Sequence, residues 1–97
     1  MPSPIITNWT GGGPSSTAYA EEQAIQQWID NAIARAQSNL SNDPPDPAYP
    51  IETKWVSGGA PIEVSTPHNP GETTNDWIAR HFDRVRAKMA DFPPDPT

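Results

Sequence analysis

The sequence predicts an α+β fold. Two tandem ββα units form a four-stranded antiparallel sheet packed against two helices, related by an approximate two-fold axis. Three observations lead there. The tetrapeptide Pro44-Pro45-Asp46-Pro47 recurs as Pro93-Pro94-Asp95-Pro96, and a Trp-Ile pair, Trp28-Ile29 or Trp77-Ile78, begins sixteen residues before each. Pro4-Ile5-x-Thr7-x-Trp9-x-x-Gly12-Gly13 matches Pro50-Ile51-x-Thr53-x-Trp55-x-x-Gly58-Gly59. In both stretches the apolar pattern then changes from strand alternation to helical period. Residues 4–47 and 50–96 therefore read as two copies of one unit, dividing the chain into 1–48 and 49–97.

Each element has a local reason. Ile51, Thr53 and Trp55 alternate with Glu52 and Lys54, the two-residue period of a strand. Ser57-Gly58-Gly59-Ala60-Pro61 is a turn, and Ile62 to Thr66 alternates again to close a hairpin. In the first copy Ile5 to Trp9, Gly11-Gly12-Gly13 and Ser15 to Tyr19 trace the same hairpin with a weaker return strand. The copies differ in length by three residues between the Gly pair and the second Trp, and the turn-rich string Thr66-Pro67-His68-Asn69-Pro70-Gly71 is the expected place of the insertion. Thr73 or Thr74 caps the second helix, with Asp76 near its positive end. Ile78, Phe82, Val85 and Met89 make one apolar stripe, and Ile29, Ile33, Ala36 and Leu40 repeat it in register. A Pro-Pro pair stops each helix, because proline lacks an N–H and restricts the residue before it.

Composition bounds the function. A unit of about 45 residues is near the lower limit for folding alone, so two hairpins are expected to share one core centred on the four tryptophans. The chain has no cysteine, so disulfides, thiolate metal sites and cysteine nucleophiles are excluded, and two histidines are too few for a structural zinc site. Apolar residues make up 34% and prolines number 13, a mixture that reads as ordered units on stiff connectors. The net charge of −6 argues against phosphate-mediated nucleic-acid binding. Met1-Pro2-Ser3-Pro4-Ile5-Ile6 lacks the basic and apolar regions of a signal peptide, and no apolar run reaches membrane-spanning length. The expectation is a soluble protein of the cytoplasm, or of a particle assembled there.

Candidate contact residues follow from this frame. Trp28 and Trp77 border the helix stripes and read as core. Trp9 and Trp55 stay open between core and an exposed platform for a partner or a sugar. Arg80, Arg84 and Lys88 are spaced to form one cationic ridge, with Asn31, Arg35 and Asn39 at the matching positions of the first copy. The ridge is either a docking surface or a solvated face with weak ion pairs such as Asp76 to Arg80. His68 and His81 have no nucleophile or carboxylate at a catalytic spacing, and the glycine runs lead into strands without the Lys-Ser/Thr of a phosphate loop. The segment Phe92-Pro93-Pro94-Asp95-Pro96-Thr97 is suited to an extended conformation that docks on aromatic surfaces or a neighbouring subunit.

No catalytic, cofactor-binding or metal-binding constellation is expected. The sequence reads as a non-enzymatic structural or interaction protein, assembling with itself or within a larger complex such as a virion or other particle, through residues drawn from Trp9, Trp55, Arg80, Arg84, Lys88, Phe92, Pro93 and Pro94. A small acidic inhibitor of a basic protein surface is the second reading. A carbohydrate-binding module using Trp9 and Trp55 is the third.

Overall fold

A computed structural model describes residues 4–20 and 23–95. The N-terminal Met1-Pro2-Ser3, the carboxylates Glu21 and Glu22, and Pro96-Thr97 lie outside the described residues. The elements run β1 (Ile5–Asn8), β2 (Ser15–Thr17), α1 (Ile25–Asn42), β3 (Ile51–Ser57), β4 (Ala60–Thr66) and α2 (Thr74–Asp91). The strands form one antiparallel sheet in the order β2-β1-β3-β4. The fold is α+β, with two hairpins joined through their first strands.

Alternation along the strands decides which face meets the helices. Ile5, Thr7, Ile51, Thr53, Trp55, Val64 and Thr66 are buried, while the residues between them are partly or fully open. Both helices cover that one face with the expected stripes: Ile29, Ile33, Ala36 and Leu40 from α1, and Ile78, Phe82, Val85 and Met89 from α2. Trp28 and Trp77 are wholly buried beside them. Each fully buried apolar side chain of this kind contributes about 1.5–3 kcal/mol by leaving water.

Thr73 caps α2, its Oγ1 accepting from the Asp76 N–H at 3.1 Å; Ala24 at the same place in α1 offers no side-chain cap. Gly58 and Gly59 both take positive φ, 58° and 83°, the type I′ geometry that suits a two-residue hairpin. The first hairpin turns differently. A Cβ on Gly12 would lie 2.5 Å from the Asp43 Cβ and 2.9 Å from the Trp9 indole nitrogen, so the glycine lets the turn close onto the chain leaving α1.

Two expectations from the sequence require revision. The extra three residues are not around Thr66–Gly71. Thr7 pairs with Ser15 whereas Thr53 pairs with Val64, a closure three residues longer, so the difference in length lies within the hairpins themselves. The strand-to-helix connections are equal, since Trp28 and Trp77 each reach a carbonyl eleven residues earlier. The Pro-Pro-Asp segments are also more than helix stops. Pro45 and Pro94 are buried, and the Asp46 and Asp95 N–H groups donate to the carbonyls of Thr10 and Val56 at 2.7 and 2.8 Å. Each segment thus folds back on its own hairpin, because the buried ring shields a backbone bond that would otherwise compete with water.

The two glycine turns predict opposite outcomes in urea denaturation. Gly12→Ala is expected to destabilise by about 1–3 kcal/mol through forced displacement of packed groups. Gly58→Asn, with nothing within 4 Å of its Cβ, is expected to change stability by no more than about 0.5 kcal/mol, since Asn tolerates the left-handed conformation and Asn-Gly is favoured in this turn.

Candidate functional site

Of the residues that stand out in the sequence, Arg80, Arg84 and Lys88 lie along α2, and most are occupied within the molecule. Arg80 donates from Nε and Nη2 to the two carboxylate oxygens of Glu72, both at 2.9 Å, and from Nη2 to the Pro67 carbonyl. The fork grips the loop before α2, and it holds the Glu72 carboxyl down at about 2. Glu72, not Asp76, is therefore the partner of Arg80. Arg84 donates from Nη1 to the Ser65 carbonyl at 3.0 Å and to Thr66 Oγ1 at 3.1 Å. It covers part of the open edge of β4. Lys88 places Nζ 4.9 Å from the centre of the Phe92 ring, a cation–π contact. The ridge is real as a spacing, but each of its cations has an internal role.

Behind Arg84 runs a buried chain of polar groups that the sequence did not single out as a unit. His81 is fully buried, with Nδ1 2.8 Å from Thr66 Oγ1 and Nε2 2.8 Å from Thr53 Oγ1. Thr53 Oγ1 lies 2.9 Å from Thr7 Oγ1 across the central strand pair. A neutral imidazole donates at one nitrogen and accepts at the other, so either tautomer satisfies the row. Burial, with Arg84 and Arg80 nearby, pushes the imidazole down to about 3. That setting makes His81 a neutral structural bridge. A proton carrier near neutral pH would need a pKa closer to that range. The spacing of Thr53, Thr66 and His81 on inward-facing positions was the available signal, but only the packed sheet shows that they converge.

The four tryptophans are likewise committed. Trp9 is 8% exposed and Trp55 2%, so neither presents a stacking face for a sugar. Their indole N–H groups donate to the Asp43 and Phe92 carbonyls at the helix C-termini, both at 2.8 Å. Trp28 and Trp77 donate to the Thr17 and Thr66 carbonyls at 3.0 and 2.8 Å. Of the terminal segment, Phe92 is 42% exposed and Pro93 is exposed, while Pro94 is buried against the second hairpin. Asp95 Oδ2 accepts from the Gly59 N–H at 3.2 Å and so ties the segment to the turn.

What remains open is the sheet face that carries no helix. Pro4, Ile6, Lys54, Val56 and Pro61 line a shallow recess on it. Val56 stands opposite Pro61, Ile6 opposite Lys54, and Lys54 opposite Glu63. Glu52 shares this face, and hydrogen bonding with the Glu63 carboxyl raises its affinity for a proton. An apolar strip therefore borders a charged strip. Helical stripes are conspicuous in the sequence; this strip is not, because its members come one or two at a time from separate strands. Among the described residues no cluster of three potential metal ligands occurs, and no helix is long and apolar enough to cross a membrane. Comparison with known protein families, with curated proteins and with solved structures finds no match to this chain.

The depressed imidazole predicts a pH dependence with a definite sign. The unfolded chain takes up a proton below about 6.5 that folded His81 accepts only near 3. Acidification through this window therefore favours unfolding. Between pH 7.5 and 5.5 the His81 contribution is a loss of about 1.4 kcal/mol. Urea titrations should show this loss in the wild type and its absence in His81→Gln; equal losses in both would contradict a neutral buried His81.

Proposed function

We propose that this chain is a non-enzymatic structural or interaction protein, built from a duplicated ββα unit (residues 1–48 and 49–97) with pseudo-two-fold symmetry, that assembles with itself or into a larger protein complex. The observation that carries the reading is the helix-free face of the sheet, where Pro4, Ile6, Val56 and Pro61 form an apolar strip beside Lys54, Glu52 and Glu63. Such a strip bordered by polar groups is the usual make-up of a protein contact surface. The groups that would serve chemistry or anion binding are spent on the fold: His81 on two threonines, Arg80 on Glu72, Arg84 on the β4 edge.

The duplication is supported by paired bonds at matching positions. Trp9 to Asp43 corresponds to Trp55 to Phe92, and Trp28 to Thr17 corresponds to Trp77 to Thr66. Asp46 to Thr10 corresponds to Asp95 to Val56. Fusing two such units leaves one sheet face for the helices and the other for a partner. A particle assembled in the cytoplasm, such as a virion, is one setting for a protein of this kind.

A second reading, a small acidic module that binds a basic surface, is favoured by the Glu52–Glu63 pair. A lysine or arginine from a partner would relieve the repulsion between these carboxylates.

Light scattering coupled to size-exclusion chromatography at about 100 µM chain (on the order of the Kd of a weak self-contact) tests the assembly reading. The expected mass is a multiple of 10.6 kDa, returning to the monomer in Val56→Glu, which puts a charge in the apolar strip. A wild-type monomer would overturn self-assembly and favour the acidic module.

A further inference from the structure

The seam between β1 and β3 has the form of a strand meeting its own copy. Thr7 faces Thr53, Ile6 faces Lys54 and Asn8 faces Glu52. In the duplicated unit Thr7 and Thr53 are the same position, so the local two-fold passes between their hydroxyls, 2.9 Å apart. Resting on the duplication reading, we infer that β3 is a self-complementary edge whose alternative partner is β3 of a second copy of this chain.

Charge favours that pairing. Set against itself in the observed register, β3 places Glu52 opposite Lys54 of the other copy, and Lys54 opposite its Glu52. Two opposite-charge pairs then flank the central threonines, a stabilising cross-strand arrangement. In the intact chain the same positions hold Ile6 against Lys54 and Asn8 against Glu52, neither of them a charge pair. β1 has no such property, since against itself it would place Ile6 opposite Asn8 twice.

The buried polar row is compatible with the same exchange. Thr53 Oγ1 already lies 2.8 Å from His81 Nε2. With a second β3 in place of β1, the row becomes Thr66-His81-Thr53-Thr53-His81-Thr66, with the two imidazoles in opposite tautomers and no hydroxyl unpartnered. The contact between Arg86 and Asp30, at 2.8 Å, has no counterpart in such a pair, because Ala79 occupies the position of Asp30 in the second unit. Both side chains are about half exposed (48% and 52%), so its loss matters little. In the intact chain β1 holds the edge at an effective concentration on the order of millimolar, and pairing between copies requires β1 to be withdrawn.

The test withdraws β1 within the full chain. The two-residue turn closes on the Ser57–Ala60 pair, so alternation directs the backbone groups of Thr53 toward β4 and those of Glu52 and Lys54 toward β1. The N–H groups of Ile6 and Asn8 are therefore the ones β1 offers to β3, and Ile6→Pro with Asn8→Pro removes both. Thr53→Cys in that background adds a single thiol to a chain that has none, at a pair with Cα atoms about 4.5 Å apart, within disulfide range. Expected are a mass of twice 10.6 kDa and an intermolecular disulfide at least tenfold more abundant than in Thr53→Cys alone. Adding Glu52→Lys should reduce this crosslink about tenfold, and adding Lys54→Glu to that should restore it. A chain that stays monomeric, or a dimer that neither crosslinks through the introduced thiol nor responds to the charge changes, overturns the inference.

A second arm leaves β1 in place. Ile6→Glu with Asn8→Lys gives β1 the edge of β3 and should unfold at or above the wild-type midpoint, whereas Ile6→Lys with Asn8→Glu should unfold several degrees lower. Equal midpoints would also overturn the inference. A wild-type monomer in light scattering bears only on assembly through the open sheet face, since the disulfide reads β3 pairing alone.

Discussion

The structure depends on four indole N–H groups that tie each helix to its hairpin at both ends. Trp28 and Trp77 rise from the first turns of α1 and α2 and bond the last carbonyls of β2 and β4; Trp9 and Trp55 leave the first strands and bond the carbonyls just past the helices. A two-stranded hairpin is marginal in water, and an 18-residue helix draws most of its stability from its packed face. The indoles join the two requirements. Each buries a large apolar surface and still satisfies its single donor, so hairpin and helix become stable together.

Once the tryptophans fix the spacing between layers, the centre of the sheet must accept polar side chains. Thr7, Thr53 and Thr66 point into the helix layer, and each hydroxyl buried there needs a partner. In the second half His81 supplies one between Thr53 and Thr66; in the first half Ala32 stands at the matching place, and Ser15 stands where the second half has Val64. The halves therefore share a frame but fill it differently. The larger filling demands a neutral imidazole, and so it links this part of the core to pH.

Surface charge is arranged around the same frame. Two cations of α2 are bonded to neighbouring segments, Arg80 to the loop that precedes the helix and Arg84 to the edge of β4. Arg84 shields carbonyls that an exposed edge strand would otherwise offer to other chains. The helix-free sheet face is left with an apolar strip, Lys54 and two glutamates in mutual contact.

The strands, the helices with their stripes, the Gly58-Gly59 turn and a cap at Thr73 or Thr74 were all legible in the linear chain, because each depends on residues within a few positions of one another. Strand register, the place of the three-residue difference in length, the docking of Pro45 and Pro94 and the burial of Trp9 and Trp55 emerge only when the elements pack. Trp9 is satisfied by a carbonyl 34 positions away and Trp55 by one 37 away, and periodicity carries no information at that range. The same holds for the row Thr7-Thr53-His81-Thr66, whose members span both halves of the chain. Local pattern says which side of an element faces inward; which polar groups meet there depends on how the sheet closes.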